Sequence, residues 1–322
     1  MRDVILITGG AGFIGSHLVE YFLERTSYQV AVIDRFDEFS VVRKFDDRVA
    51  VVAHDLRNPL INAGELADIA PRVKYVIHAA AGSHVDRSIV DPLGFVSDNV
   101  IGTVHMLEYV RRYLKPEKTL LFSTDEVVGP ANDNETFNEF SGTAPGNPYA
   151  ASKAGAESVA VAYANTYGMP ITISRCSNVY GERQHSEKFI PLCIAAIREG
   201  RKVLIHARNG VPSSRLYLHV TDVCRAVQLI LEQGDTLSIG EKTGRFNIAS
   251  NREVSNKVIA WTIAEFLGLP LDFELVEDVP HRPRHDQRYS ISFGRLHALG
   301  WEPRIGIEQG LRGLCQAALE AA

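Results

Sequence analysis

The chain has 322 residues, 45% of them hydrophobic and 23% charged, enough for one large globular domain or two smaller ones. Its 34 basic residues face 39 acidic ones, and the net charge of −5 supplies no general attraction to nucleic acid or an anionic membrane. No apolar stretch is long enough to span a bilayer, so a cytoplasmic protein is expected.

Six short apolar runs mark the first half: VILI (4–7), VAVI (30–33), VAVVA (49–53), YVI (75–77), TLLF (119–122) and ITI (171–173). None alternates with polar residues, which is the pattern of strands covered on both faces. Helical patterns separate them, at Phe13 to Arg25, Val100 to Tyr113 and Tyr149 to Tyr167. The expected fold is therefore α/β, a doubly wound (Rossmann) parallel sheet. Beyond about residue 175 the alternation weakens, so residues 1–175 are expected to bind a nucleotide and residues 176–322 to form a smaller substrate lobe. The polar stretch 130–148 reads as a long loop, functional or mobile. Cys176, Cys193, Cys224 and Cys315 are far apart and form no CxxC pair, so reduced thiols are expected and no metal site.

The first strand runs into TGGAGFIG (8–15), which opens the first helix. Gly9 suits a tight turn, Gly12 a close backbone approach to a pyrophosphate, and Gly15 close packing of helix on strand. The helix N-terminus then points unpaired N–H groups at the phosphates. Asp34 closes the second strand 19 residues beyond Gly15, where a carboxylate binds the ribose hydroxyls of NAD. Arg35 beside it would favour NADP instead. His54, Asp55 and Leu56 follow the third strand and would meet the adenine, although Asp55 alone suits a helix cap equally well.

In NPYAASKAGAE (147–157), Tyr149 and Lys153 stand four residues apart and share a helix face. An ammonium beside a phenol lowers its pKa, which makes the tyrosine usable as a base near neutral pH. The glycine-rich turn with this YxxxK pair resembles the extended short-chain dehydrogenase/reductase family over nearly the full length. Within that family the sugar-nucleotide 4,6-dehydratases are the most similar group. SHVDRSI (83–89), STDEV (123–127), RCSNVYG (175–181), EKFIP (187–191), RLYLHVTD (215–222) and RPRHDQRY (282–289) carry the likeness.

The resemblance implies an NAD-dependent dehydratase of a nucleotide-linked hexose. Tyr149 would take the C4 hydroxyl proton, with Thr124 positioning that oxygen and Lys153 supporting the phenol. Glu126 would then remove the C5 proton while Asp125, kept protonated, donates to the leaving C6 hydroxyl. Two adjacent carboxylates resist ionising together, which suits one of them to be the acid. By the same resemblance Phe13, Ile14, Ala79, Ala80, Ala81, Asn99, Ser123 and Cys176 would join the glycines around the cofactor. Substrate contacts would come from His84, Asn178, Glu187, Lys188, Arg215, Arg288 and position 250, where Ser250 precedes Asn251. A homodimer through the helices at 100–113 and 149–167 is implied as well.

Three departures from the dehydratase pattern stand in or beside the expected sugar pocket: Gly82, Val128 and the stretch HARNGVPSS (206–214). They leave the product open between a 4-keto-6-deoxy sugar and a 5,6-ene re-reduced at C4, the outcome of a 5,6-dehydratase acting on a UDP-hexosamine such as UDP-GlcNAc in tunicamycin-type antibiotic biosynthesis. A C4 epimerase would need Tyr149 and Lys153 but no acid–base pair. A non-catalytic NAD sensor would need none of the four.

Overall fold

The computed structural model describes residues 2–42, 44–240, 243–277 and 287–320. β1 (Val4–Thr8), α1 (Phe13–Arg25), β2 (Gln29–Asp34), β3 (Val49–Ala53), α2 (Glu65–Ile69) and β4 (Val73–His78) open the chain. α3 (Val85–Val90) and α4 (Pro92–Val96) lead through a π-helical turn, Ser97–Ile101, into α5 (Gly102–Tyr113). β5 (Lys118–Thr124) ends in a 3-10 turn over Asp125–Val128, and α6 (Pro148–Tyr167) returns the chain to β6 (Ile171–Cys176).

All six apolar runs are strands of one parallel sheet, which a later strand, β11 (Arg245–Ile248), completes in the order β11-β6-β5-β4-β1-β2-β3. β1, β5 and β6 are buried along their whole length because helices cover both faces. The strand order reverses between β1 and β4, and such a switch point opens a crevice beyond the carboxyl ends of the strands.

The second half comprises β7 (Asn178–Tyr180), α7 (Phe189–Arg198), β8 (Val203–Arg208), β9 (Val211–Pro212), β10 (Ser214–His219), α8 (Val220–Gln233) and β11 (Arg245–Ile248). β12 (Glu253–Ser255), α9 (Asn256–Leu267), β13 (Phe273–Val276), α10 (Gly294–Ala298) and α11 (Ile307–Glu320) complete it. Two small sheets, β12-β10-β7 and β13-β8-β9, sit here, while β11 crosses back to pair with β6.

The small-residue face of α6 is used within the chain. A Cβ at Gly155 would stand 3.0 Å from Val100 Cγ2, and Ala156, Ala160 and Ala164 pack into the core. The helix expected from Val100 begins at Gly102 because Val100 lies in the π-helical turn. Stretch 130–148 is tied down: Arg288 donates to the Asn132 and Glu135 carbonyls at 2.7 Å each, and Arg175 to the Ser141 carbonyl at 3.1 Å.

Candidate active site

The glycine turn is fixed by sterics. Gly9 has φ +71°, and a Cβ there would meet Ala80 backbone atoms at 2.7 Å. A Cβ at Gly15 would lie 2.0 Å from the Gly9 carbonyl oxygen, so only glycine lets α1 start this close to β1. Gly12 caps α1 with no side chain of its own, leaving the first turn's amides, at Phe13 and Ile14, facing the crevice. At the end of β2 the Asp34 carboxylate accepts N–H bonds from Ala11 and Phe36, both at 2.9 Å. That pins it where a ribose diol would sit. The cradle therefore fits an NAD-type dinucleotide, and the chemistry of its donors agrees.

The crevice has a volume of about 400 Å³. Gly9, Gly12, Phe13, Ile14, Gly15, Asp34, Arg35, Asp55, Leu56, Ala79, Ala80, Ala81, Ser123 and Cys176 all line it. So do Thr124, Asp125, Glu126, Tyr149, Lys153, His84, Asn178, Glu187 and Lys188.

Four expected contacts are not on its wall. Asn99 is buried behind it, holding the Gly82 backbone by bonds of 2.8 and 3.1 Å and the Ser152 hydroxyl at 2.8 Å. Arg215 is buried over the Tyr289 ring and donates to the Ser214 and Gln287 carbonyls. Arg288 is held by Glu253 at 2.8 Å and by the 130–148 loop. Ser250 bonds the Arg252 carbonyl. Residues 282–286 of the RPRHDQRY stretch lie outside the described residues.

Of the three departures, only Gly82 lines the crevice, where a Cβ would stand 3.2 Å from the Phe95 ring. Val128 is a core residue packed with Val127, Leu216 and Ile291. The expectation that it lines the sugar pocket is corrected. HARNGVPSS runs along β8 and β9 into β10, away from the crevice wall.

At the end of β5 the chain turns into a 3-10 helix whose cap is Thr124, its hydroxyl accepting the Glu126 N–H at 3.3 Å. Asp125 is buried; Thr124 Oγ1 donates to its Oδ1 at 3.2 Å. Its carboxyl is pushed up to about 7, first by burial and second by the Glu126 charge. The expected like-charge effect is thus present but ranks below desolvation. Glu126 accepts from Asn147 Nδ2 at 2.9 Å and from the Tyr289 hydroxyl at 3.3 Å.

Tyr149 stands in the first turn of α6, where its N–H donates to Ser88 Oγ at 3.0 Å. Its phenol is raised well above its usual range, mainly by burial and then by Glu126, with Thr124 acting in the opposite sense. Lys153 is not among the groups that chiefly set this shift. Lys153 Nζ donates to the Phe122 carbonyl at 2.7 Å, and burial lowers its own pKa to about 8. Ser88, Asn147 and Tyr289 were not singled out by the motifs. All three lie in stretches that carry the family likeness, SHVDRSI, NPYAASKAGAE and RPRHDQRY, and Asn147, directly before Pro148, had in addition the signal of a helix cap.

The model of the GDP-mannose 4,6-dehydratase family matches residues 6–314. The chain belongs to this family. It is a sugar-nucleotide 4,6-dehydratase-like enzyme of the extended short-chain dehydrogenase/reductases. A dTDP-glucose 4,6-dehydratase of Haemophilus influenzae is 36% identical over 330 residues, covering 96% of this chain and 95% of its own. A solved dTDP-glucose 4,6-dehydratase from Streptomyces venezuelae, with NAD bound, superposes with a TM-score of 0.85 at 33% identity, over 98% of this chain and 97% of its own. A UDP-glucose 4-epimerase from Thermus thermophilus, also with NAD, reaches a TM-score of 0.85 at 28% identity, over 99% and 100%. The chain thus shares its fold with both a solved dehydratase and a solved epimerase. Among the described residues no helix is long and apolar enough to cross a membrane, and no cluster of metal-ligating side chains occurs.

Proposed function

We propose that the enzyme uses NAD to dehydrate a nucleotide-linked hexose, giving a 4-keto-6-deoxy sugar. The observation that carries this reading is the buried Asp125 next to Glu126, in one crevice with Tyr149 and Lys153. An epimerase has no use for that pair, and a cofactor sensor has no use for any of the four.

Bound NAD supplies a hydride acceptor for the sugar C4, a store from which the hydride is returned, and a positive ring beside Tyr149. Tyr149 takes the C4 hydroxyl proton while Thr124 orients that oxygen. Lys153 contributes a positive charge at the end of β5. With C4 a ketone, the adjacent C5–H becomes acidic, and the Glu126 carboxylate removes that proton. Asn147 and Tyr289 aim the carboxylate from behind. Asp125 gives its proton to the leaving C6 oxygen, so one water departs and the 5,6 double bond forms. A carboxyl held at about 7 is well matched to that acid role near neutral pH.

Residues 1–175, with β11, hold the cofactor, and residues beyond 176 hold most of the nucleotide part of the substrate. Asn178, Glu187 and Lys188 are the contacts favoured by their place on the crevice wall. The enzyme acts as a homodimer in the cytoplasm. A second reading, hydride return to C4 to leave a 5,6-ene, draws support from Gly82, whose missing side chain lets the Phe95 ring pack against the backbone and so reshapes the crevice wall.

The test is incubation with a panel of dTDP-, UDP- and GDP-linked hexoses deuterated at C4, followed by mass and label position. Loss of one water with the label at C6 is expected. Label back at C4 beside an alkene would establish the 5,6-dehydratase reading instead, and C4 inversion without water loss would establish an epimerase.

A further inference from the structure

Two arginines stand beside Asp34 at the ribose end of the crevice: Arg35, next in the chain, and Arg57, in the loop after β3. A guanidinium here would ordinarily offer a fork for the 2′-phosphate of NADP. Neither arginine is available for that. Arg35 Nε is paired with Asp37, and its Nη1 donates to Asp98 Oδ1 at 2.9 Å. Arg57 Nε donates to Asp55 Oδ2 at 2.8 Å and stands 3.8 Å from the same Asp98 oxygen.

Asp98 Oδ1 is thus the point where both guanidinium groups converge. Its position is built into the fold. It lies in the π-helical turn Ser97–Ile101, next to the buried Asn99 that holds the Gly82 backbone. A π turn re-aims side chains relative to a regular helix and is common beside functional sites. The side chain is only 17% exposed, so solvent screens its pull on the arginines weakly.

We infer that Asp98 is a cofactor-specificity residue, which turns Arg35 and Arg57 away from the ribose 2′ position and so excludes NADP. The inference rests on the NAD reading above. Asp34 is the direct contact and would repel a 2′-phosphate by itself. Asp98 acts one step back, by removing the cations that would otherwise offset Asp34. With Asp37, Asp55 and Asp98 set against the two arginines, this end of the crevice keeps an excess of negative charge, the wrong sign for a phosphate monoester.

The test is displacement of radiolabelled NAD+ by unlabelled NAD+ or NADP+ from the purified full-length protein, which reads binding without turnover. Asp98→Asn should raise the affinity for NADP+ relative to NAD+ by about tenfold or more, the scale of one charge-assisted hydrogen bond. Adding Arg35→Ala and Arg57→Ala to that variant should cancel the gain. In the otherwise unaltered protein the same two alanine substitutions should leave the NADP+ to NAD+ ratio within about threefold of its starting value, which keeps the test usable if Asp98→Asn folds poorly. An unchanged ratio in Asp98→Asn would overturn the inference, as would a large drop in NADP+ binding on removing the arginines alone. Failure of the unaltered protein to bind NAD+ would instead overturn the cofactor reading itself.

Discussion

The Lys153 ammonium donates to the Phe122 carbonyl at 2.7 Å, tying the helix that carries Tyr149 to the strand that delivers Asp125 and Glu126. One buried cation therefore sets both the spacing of the two catalytic segments and the charge at their junction. Lys153→Met should slow single-turnover oxidation of the sugar by about a hundredfold or more. Its thermal unfolding should shift by only a few degrees, because the carbonyl it abandons costs about 1–3 kcal/mol. Oxidation within threefold of the unaltered enzyme would remove Lys153 from the mechanism.

Asp125 predicts a pH dependence of stability. Its carboxyl is raised by burial from an ordinary value near 4 to about 7 in the folded protein. Between those limits the folded state holds a proton that the unfolded chain has released. Stability from this group is therefore full at acid pH and is lost as pH rises through 7. Asp125→Asn removes that loss. The variant should gain roughly 2–4 kcal/mol relative to the parent between pH 4 and pH 8, read by denaturant titration at each pH. A constant difference across that range would contradict the raised carboxyl.

Asn147 has two jobs in the structure. It caps α6 by accepting the Ala150 N–H at 2.8 Å, and its amide holds Glu126 at 2.9 Å. Asn147→Ala should cost about 1 kcal/mol of stability through the cap. Asn147→Asp keeps the cap but sets a like charge against Glu126. We expect the aspartate variant to be nearly as stable as the parent yet slow in water loss, with sugar oxidation little changed. Parallel losses in oxidation and water loss would mean that Asn147 only shapes the helix.

The strands were legible in the sequence because burial on both faces leaves an uninterrupted apolar run, as in VILI and TLLF. The glycine turn was legible because Gly9 and Gly15 answer steric demands that no other residue meets. Tyr149, Lys153, Asp125 and Glu126 could be named from local motifs. What surrounds them could not. Tyr289 reaches Glu126 from 163 residues away and Ser88 reaches Tyr149 from 61, separations at which no spacing rule operates. Val128 was misread for the opposite reason: it follows the carboxylates directly, yet the 3-10 turn rotates it into the core. For Lys153, helical spacing fixes the face it shares with Tyr149 but not the Phe122 carbonyl it bonds.

Assembly is open to a direct check. The ends of α5 and α6 leave Tyr113 and Tyr167 about half exposed. A homodimer through these helices would cover them. Sedimentation at micromolar concentration should give a dimer, and substituting Tyr113 and Tyr167 with Lys should shift it toward monomer. A monomer in the unaltered protein would exclude this interface.

The division of labour between Tyr149 and the carboxylate pair is the centre of the account, and Glu126→Gln tests it most directly. The variant keeps the shape of the side chain and its amide can still meet Asn147 and Tyr289, but it has no base for the C5 proton. After addition of a nucleotide-linked hexose that the parent enzyme dehydrates, absorbance should show the bound nicotinamide reduced and then held in that state. Mass spectrometry should find no loss of water beyond about a hundredth of the parent rate. Water loss at the parent rate in Glu126→Gln would contradict the mechanism.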